Sequence, residues 1–188
     1  MTLQTRRRLV ARGIAAYAAL PFAHASWFAA ALAGEDSSLA TRWIELKSIH
    51  TNETVNVTFQ DRHGFVAGAL GKLRHLLRDY RTAEEHDMDP TLYVQLSDLA
   101  RAAGREPRYE VISGYRSPTT NAKLHAQGRG VAEHSLHIQG RAMDVRLPGC
   151  DLGALRDLAL AAKRGGVGYY PRSNFIHIDT GKVRRWEG

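Results

Sequence analysis

Residues 141–147 read Arg-Ala-Met-Asp-Val-Arg-Leu, and residues 175–179 read Phe-Ile-His-Ile-Asp. In both segments every second residue is apolar, which predicts two strands with one face in the core and the other facing a cleft. In the first strand this alternation places Asp144 on the cleft face. In the second it places His177 and Asp179 on that face together. The two segments therefore predict both a sheet and the position of a functional site on it.

A third polar residue, His137, lies just before the first of these strands. Gly140 lets the loop that carries His137 approach the strand closely, because glycine has no side chain. Two imidazoles and one carboxylate form a ligand set that zinc accepts, with a fourth position left for water, as in catalytic zinc sites. A single His or Asp on a strand is more often a surface residue or a hydrogen-bonded core residue than a metal ligand. It is the arrangement of His137, Asp144 and His177 that predicts zinc.

The remaining elements are predicted as a mixture of helices and strands. Residues 42–50 and 55–59 alternate apolar and polar side chains around turn residues 51–54, which predicts a hairpin. Leucines at helical spacing predict a helix within residues 61–80. Similar patterns predict three more helices and two more strands: helices over 91–103, 118–127 and 152–163, and strands over 109–113 and 167–170. Because helices and strands do not alternate regularly, we expect an α+β fold with a small, mainly antiparallel sheet, flanking helices and a zinc cleft.

Residues 1–33 have the order of a secretory signal, with basic residues followed by an apolar stretch and then small residues. The segment contains Arg6, Arg7 and Arg8 but no acidic residue. Consecutive arginines before an alanine-rich apolar stretch are similar to the twin-arginine export motif. We therefore predict a twin-arginine-type signal that is recognised by the twin-arginine export machinery.

The end of this signal has two candidate cleavage sites, Ala23-His-Ala25 and Ala31-Leu-Ala33. The later site is favoured because the residues from Gly34 onward turn polar. An alternative is an uncleaved membrane anchor over residues 13–33, which is long enough to span a bilayer. The main domain is predicted over residues 34–188.

The charge of the chain does not require a nucleic-acid partner. Lys and Arg total 26 against 19 Asp and Glu, a formal charge of +7, and residues 1–33 supply more than half of that excess. No stripe of Lys and Arg interleaved with aromatic residues is present, which argues against nucleic-acid binding. The single cysteine, Cys150, excludes an intrachain disulfide. Residues 34–188 are numerous enough to bury one hydrophobic core.

Longer motifs around the predicted ligands resemble a known family. Ser135-x-His-x-x-Gly-x-Ala-x-Asp144, the later His177 and the upstream Ser113-Gly-Tyr-Arg-Ser117 resemble the zinc peptidases of the D-alanyl-D-alanine carboxypeptidase and murein endopeptidase group. Within this group, residues 113–186 are similar to the murein endopeptidase K family. That span includes Gly-Val-Gly-Tyr-Tyr-Pro-Arg-Ser-x-Phe-x-His-Ile-Asp-Thr-Gly, and the similarity covers essentially the whole chain after the signal.

The resemblance implies one zinc held by His137, Asp144 and His177 in a periplasmic enzyme. Such an enzyme hydrolyses peptide bonds in the stem peptides and cross-links of peptidoglycan. Two alternatives are a noncatalytic zinc-containing module that binds the cell wall, and a D-alanyl-D-alanine carboxypeptidase. The sequence predicts no particular oligomeric state.

A cation near the metal is expected in such an enzyme, to face the developing oxyanion or a substrate carboxylate. Arg116 is the candidate, because it follows a predicted strand and a glycine, and its planar guanidinium can grip a carboxylate at two points. The alternative is a structural arginine that binds loop carbonyls.

The general base is less well marked. Relatives in the wider group often place an acidic residue three positions before the last ligand or a histidine two positions before it, where this chain has Asn174 and Phe175. Asp179 and His134 are the remaining candidates. Asp179 alternatively orients His177, which is the commoner role for an acid near a ligand.

Several other aromatic and charged residues are not predicted to bind the metal. Tyr169 and Tyr170 are expected either to line the cleft or to pack in the core. Residues 184–186 are predicted to form a solvated tail. The other histidines are predicted to lie on polar surfaces without a role: His50, His63, His75, His86 and His125.

Overall fold

An eight-stranded sheet runs through the structure, a computed structural model that describes residues 41–128 and 132–188. The strands are β1 (Arg42–Ser48), β2 (Thr54–Asp61), β3 (Gly64–Phe65), β4 (Arg108–Ser113), β5 (Ala142–Arg146), β6 (Gly166–Tyr170), β7 (Phe175–Asp179) and β8 (Arg184–Glu187). The described helices are α1 (Ala67–Leu76), α2 (Thr91–Ala102), α3 (Pro118–Ala126), α4 (Leu152–Ala162), and two 3₁₀ helices, Leu136–Gln139 and Pro171–Ser173. None of these helices combines the length and apolar character needed to cross a membrane. The predicted signal over residues 1–33 lies outside the described residues.

The strands are arranged in the order β3-β2-β1-β4-β5-β7-β6-β8. Five of the seven neighbouring pairs are antiparallel, and the pairs β1–β4 and β6–β8 are parallel. The predicted α+β class with a mainly antiparallel sheet is confirmed.

Apolar side chains of the sheet form the core together with α1, α2 and α4. Met143 and Val145 in β5, and Ile176 and Ile178 in β7, are at most 2% exposed. Full burial of one such side chain is worth about 1.5–3 kcal/mol. A slip of one residue would turn all four out of the core, so their burial fixes how β5 and β7 pair.

The opposite face of the sheet carries a row of functional side chains. Asp144 in β5 lies opposite His177 in β7, which lies opposite Gly168 in β6. Gly168 in turn lies opposite Trp186 in β8. Because Gly168 has no side chain, this row allows Trp186 to reach across β6 towards His177.

The helix predicted within residues 61–80 is shorter than expected. β2 continues to Asp61, and a turn leads into β3 before α1 begins. The carboxylate of Asp61 accepts a hydrogen bond of 2.7 Å from the backbone N–H of His63, a bond typical of turns. Gly64 then adopts a φ of +114°, which a residue with a side chain rarely adopts. These local bonds override the helical spacing at the start of the segment.

The prediction of a solvated tail over residues 184–186 is wrong. These residues form most of β8, which pairs in parallel with β6. The strand fits there because a Cβ atom at Gly168 would lie only 2.6 Å from the ring of Trp186. A glycine at this position therefore makes room for the C-terminal strand.

Candidate metal centre

Three ligand atoms converge on the open face of the sheet. Nε2 of His137 and Nδ1 of His177 are 3.2 Å apart, and Oδ1 of Asp144 lies 3.3 Å and 2.9 Å from them, respectively. A tetrahedral zinc ion with bonds of about 2.0–2.1 Å would separate its ligand atoms by about 3.3 Å. All three residues are buried, at 8% exposure or less. The triangle therefore fits a zinc-sized ion, with the ligand set predicted from the sequence.

The outward nitrogens of both imidazoles are held by acceptors. Nδ1 of His137 donates to the carbonyl oxygen of Gly114 at 2.7 Å, and Nε2 of His177 donates to Oδ2 of Asp179 at 3.1 Å. Because a carbonyl or carboxylate oxygen only accepts, these nitrogens carry the hydrogens, and in the neutral imidazoles that bind a metal the nitrogens that face each other carry lone pairs. Three electron-pair donors this close together repel one another unless a cation lies between them. The donor set could therefore hold a metal ion.

His137 is positioned by the 3₁₀ helix Leu136–Gln139. The hydroxyl of Ser135 accepts a hydrogen bond from the backbone N–H of His137 and begins this helix. Gly140 ends it with a φ of +64°, and a Cβ atom there would lie 2.2 Å from the carbonyl oxygen of Asp87. Glycine is thus required at this position by both its backbone angle and the close approach.

Asp179 lies behind His177 and is fully buried. Its Oδ1 accepts hydrogen bonds from the backbone N–H groups of Gly166 and Gly181, at 2.9 and 2.8 Å. Arg184 donates to both carboxylate oxygens, at 3.1 and 2.7 Å, and His177 donates to Oδ2. The arrangement fixes the ring orientation and tautomer of His177.

The same contacts shift the pKa values of the site. Burial opposes ionisation of Asp144, but the neighbouring imidazoles of His137 and His177 outweigh it and hold the pKa of that carboxyl well below its usual range. Burial also opposes ionisation of Asp179, but hydrogen bonds from His177, Arg184 and two backbone N–H groups outweigh it and hold the pKa of this carboxyl well below its usual range. Burial lowers the pKa of His137. Burial also acts against protonation of His177, but the two carboxylates outweigh it and raise its pKa. Both carboxylates are therefore ionised at neutral pH, as a metal centre requires.

Arg116 lies beside Asp144, and its side chain is 10% exposed. One Nη is 3.8 Å from Oδ2 of Asp144, and the other donates to Oδ1 of Asn121 at a long 3.4 Å. Its Nε is buried and has no hydrogen-bond partner among the described residues. Burial lowers the pKa of Arg116, although a guanidinium in a protein stays charged. A buried cation with an unsatisfied donor is suited to an anionic group of a substrate.

The candidate metal centre lines a cleft of about 430 Å³. Arg116 and the exposed His134 line this cleft, as does Tyr170, whereas Tyr169 packs against the hydrophobic core. Asp179 does not line the cleft. The structure thus places five of the six predicted site residues on the cleft surface and the sixth behind His177.

Arg184 and Trp186 are functional-site residues that the sequence analysis missed. The rings of Trp186 and His177 are 5.0 Å apart, and Arg184 holds the carboxylate behind His177. Both side chains reach over β6 at a glycine, Arg184 over Gly166 and Trp186 over Gly168. Gly168 within the predicted strand and Gly166 just before it were the available signal, because such gaps mark the close approach of another group.

Comparison with known proteins identifies related chains over most of this length. The family model for peptidoglycan L,D-endopeptidase MepK matches residues 36–186. The chain is 46% identical over 145 residues to the peptidoglycan L,D-endopeptidase MepK of Escherichia coli (strain K12), covering 77% of this chain and 80% of the relative. It is 45% identical over 148 residues to the probable peptidoglycan L,D-endopeptidase MepK of Haemophilus influenzae, covering 78% and 80%. All six candidate site residues lie within the matched family region.

Proposed function

This chain belongs to the peptidoglycan L,D-endopeptidase MepK family, and we propose that it is a zinc peptidase that hydrolyses stem peptides or cross-links of peptidoglycan. The observation that carries the proposal is the buried triangle of His137, Asp144 and His177 at the floor of an open cleft. Three protein ligands leave a position for water, and the cleft gives a peptide access to it. Zinc fits both the donor atoms and their separations.

His137, Asp144 and His177 would hold the zinc ion, which would supply a Lewis acid for the peptide carbonyl and bring the pKa of a bound water towards about 7. The carbonyl of Gly114 and the carboxylate of Asp179 keep the two imidazoles in the tautomers that present lone pairs. Asp144 turns Oδ1 towards the imidazoles and Oδ2 towards Arg116. The protein thus arranges the metal ligands and a neighbouring cation before a substrate binds.

The two candidates for moving a proton have different surroundings. Both oxygens of Asp179 accept hydrogen bonds, and the carboxylate is fully buried behind His177. We therefore assign Asp179 the orienting role. His134 is exposed on the cleft surface and is the remaining candidate for a general base.

Arg116→Lys is expected to lower kcat/KM by about tenfold or more, although it keeps the positive charge. A lysine cannot grip a carboxylate or an oxyanion at two points as a guanidinium does. A rise in KM at unchanged kcat would indicate a substrate carboxylate, and a fall in kcat would indicate the oxyanion. Steady-state kinetics on a defined peptide substrate measures both constants.

The matched control for this prediction is Arg105→Lys, at an exposed residue that does not line the cleft. It should leave both constants unchanged. If Arg116→Lys also gives wild-type constants, Arg116 has a structural role only.

Digestion of purified sacculi and defined cross-linked muropeptides, with mass spectrometry of the products, tests the proposed function. We expect new peptide termini within stem peptides or cross-links, loss of activity with a chelator, and recovery with zinc. Release of only a terminal D-alanine would indicate a D-alanyl-D-alanine carboxypeptidase. Binding to sacculi without any product would indicate a noncatalytic cell-wall module.

The location follows from the proposed substrate and from the sequence of residues 1–33. Peptidoglycan lies outside the cytoplasm, so an enzyme that acts on it must be exported. The consecutive arginines and the alanine-rich stretch support export by the twin-arginine machinery to the periplasm.

Replacement of Arg6, Arg7 and Arg8 by lysine is expected to leave the precursor in the cytoplasm. The charge of the segment is unchanged, but an export receptor that reads arginine does not accept lysine. Cell fractionation followed by immunoblotting measures the distribution. The control, Arg12→Lys, lies outside the motif and should be exported. Periplasmic accumulation of the triple variant would mean that another export route is used.

A further inference from the structure

Arg184 lines the cleft, and one edge of its guanidinium has no acceptor in the described part of the chain. Its two Nη atoms hold the two oxygens of Asp179, and Nη1 also donates to the carbonyl oxygen of Lys182 at 3.1 Å. A guanidinium has five N–H groups, so the Nε hydrogen and one Nη2 hydrogen remain without an acceptor among residues 41–128 and 132–188. These two lie on the same edge of the guanidinium and form a second two-point donor. The side chain is 45% exposed whereas Asp179 is fully buried, so this edge is open to solvent.

Trp186 holds Arg184 in place from one side. The guanidinium carbon lies 4.9 Å from the centre of the Trp186 ring, and Nε1 of Trp186 donates to the hydroxyl of Tyr170 at 2.9 Å. Cation–π contact and the Asp179 carboxylate together fix the guanidinium plane. A donor that is already fixed loses little entropy when it binds a ligand.

Arg184 and Arg116 lie on opposite sides of the metal centre along the sheet. Arg116 follows β4, the ligands Asp144 and His177 lie on β5 and β7, and Arg184 lies on β8 beyond β6. We propose that Arg184 binds a carboxylate of the substrate through its free edge. The cleft would then select peptides with an acidic group on each side of the scissile bond, one for each arginine. This inference rests on the proposed function and adds the substrate class.

The charges around the cleft agree with an acidic substrate. Arg116 and Arg184 are balanced by Asp144 and Asp179 in the protein alone. A bound divalent cation leaves the cleft with a net positive charge, which attracts anions and favours their binding. Loss of Arg184 would remove one of the two cations that flank the scissile bond.

The test uses zinc-loaded protein and three synthetic cross-linked stem peptides. One peptide has free carboxylates on both sides of the scissile bond, and each of the other two has the carboxylate on one side converted to a carboxamide. We expect Arg184→Gln to lower kcat/KM for the free acid about 10- to 100-fold, as for loss of a charge-assisted two-point bond. For one of the two amides, the wild type and Arg184→Gln should be equally slow. For the other amide, Arg184→Gln should still be slower than the wild type.

Arg185→Gln is the matched control, because this substitution removes the same charge. Arg185 is the exposed neighbour of Arg184 on β8 and lies outside the cleft. It should retain wild-type kinetics on all three peptides. Zinc affinity, measured by competition with a chelating dye, should change less than about threefold in Arg184→Gln, since Asp179 keeps its bonds to His177 and two backbone amides.

The proposal is overturned if Arg184→Gln slows cleavage of both amides as much as that of the acid, or if lost zinc affinity explains its defect. Calorimetric binding of the three peptides to the zinc-loaded wild type provides a second readout that does not depend on cleavage. A wild type that binds the acid better than one amide but cleaves nothing contradicts the proposed function alone. Equal binding of all three peptides contradicts the role of Arg184.

Discussion

Alanine at His137, Asp144 or His177 is expected to abolish peptide hydrolysis and to release the metal. Each residue supplies one corner of the ligand triangle, and the remaining two atoms cannot hold zinc with comparable affinity. The affinity should fall by more than the roughly 10- to 100-fold that follows the loss of a residue behind a ligand. Metal analysis of the purified variants and product formation from sacculi measure the two effects.

Combining these substitutions should add nothing to the loss of activity. A double variant with alanine at His137 and His177 removes the same ion that each single variant removes, so its residual activity should equal theirs. His63→Ala is the control, because His63 is exposed in the turn between β2 and β3, near the other edge of the sheet. A single variant that retains about one equivalent of zinc and wild-type turnover would show that the metal is bound elsewhere.

The positions of the candidate metal ligands could be predicted from the sequence because they depend on local alternation. In β5 and β7 the apolar positions are fixed by the core, so Asp144 and His177 must face the other side. The pairing of the two strands then places them opposite one another. The alternation of the strands thus determines the positions of two of the candidate ligands. The third, His137, followed from the short distance along the chain and from Gly140.

The part of the cleft that Arg184 and Trp186 form could not be predicted in the same way. Arg184 and Trp186 lie on an edge strand whose burial pattern is mostly exposed, so local composition resembles a tail. Their positions depend on the parallel pairing of β8 with β6 and on the gaps at Gly166 and Gly168. Pairing of this kind joins an edge strand to a distant part of the chain, and a hydrophobicity pattern carries no signal for it.

The assignment of Asp179 likewise needed the three-dimensional structure. From the sequence, its two-residue spacing from His177 was compatible with either a base or an orienting carboxylate. The burial of Asp179 and its donors, Gly166, Gly181, Arg184 and His177, favour the orienting role. A general base needs a lone pair that is free to accept a proton from the cleft. Whether Asp179 has one depends on all of these hydrogen bonds, which the sequence does not show.

Asp179→Asn is expected to weaken zinc binding by about 10- to 100-fold and to lower the free energy of unfolding by about 1–3 kcal/mol. Each oxygen of Asp179 accepts from at least two N–H groups, so an amide NH₂ in either orientation would face donors instead of acceptors. If the amide nitrogen takes the place of Oδ2, the imidazole of His177 loses its acceptor; if it takes the place of Oδ1, the backbone N–H groups of Gly166 and Gly181 lose theirs. Competition with a chelating dye and chemical denaturation measure the two quantities.

The kinetics of Asp179→Asn separate the orienting role from that of a general base. In the orienting role, activity lost at limiting zinc returns at high zinc, because the ligands themselves are intact. A base would instead lose about 10²-fold or more in kcat with zinc fully bound, and the acidic limb of the pH profile would move. His134→Gln is the companion variant, since His134 is the other candidate and lies exposed on the cleft. If His134→Gln turns over normally while zinc-saturated Asp179→Asn does not, the orienting role is contradicted and Asp179 is the base.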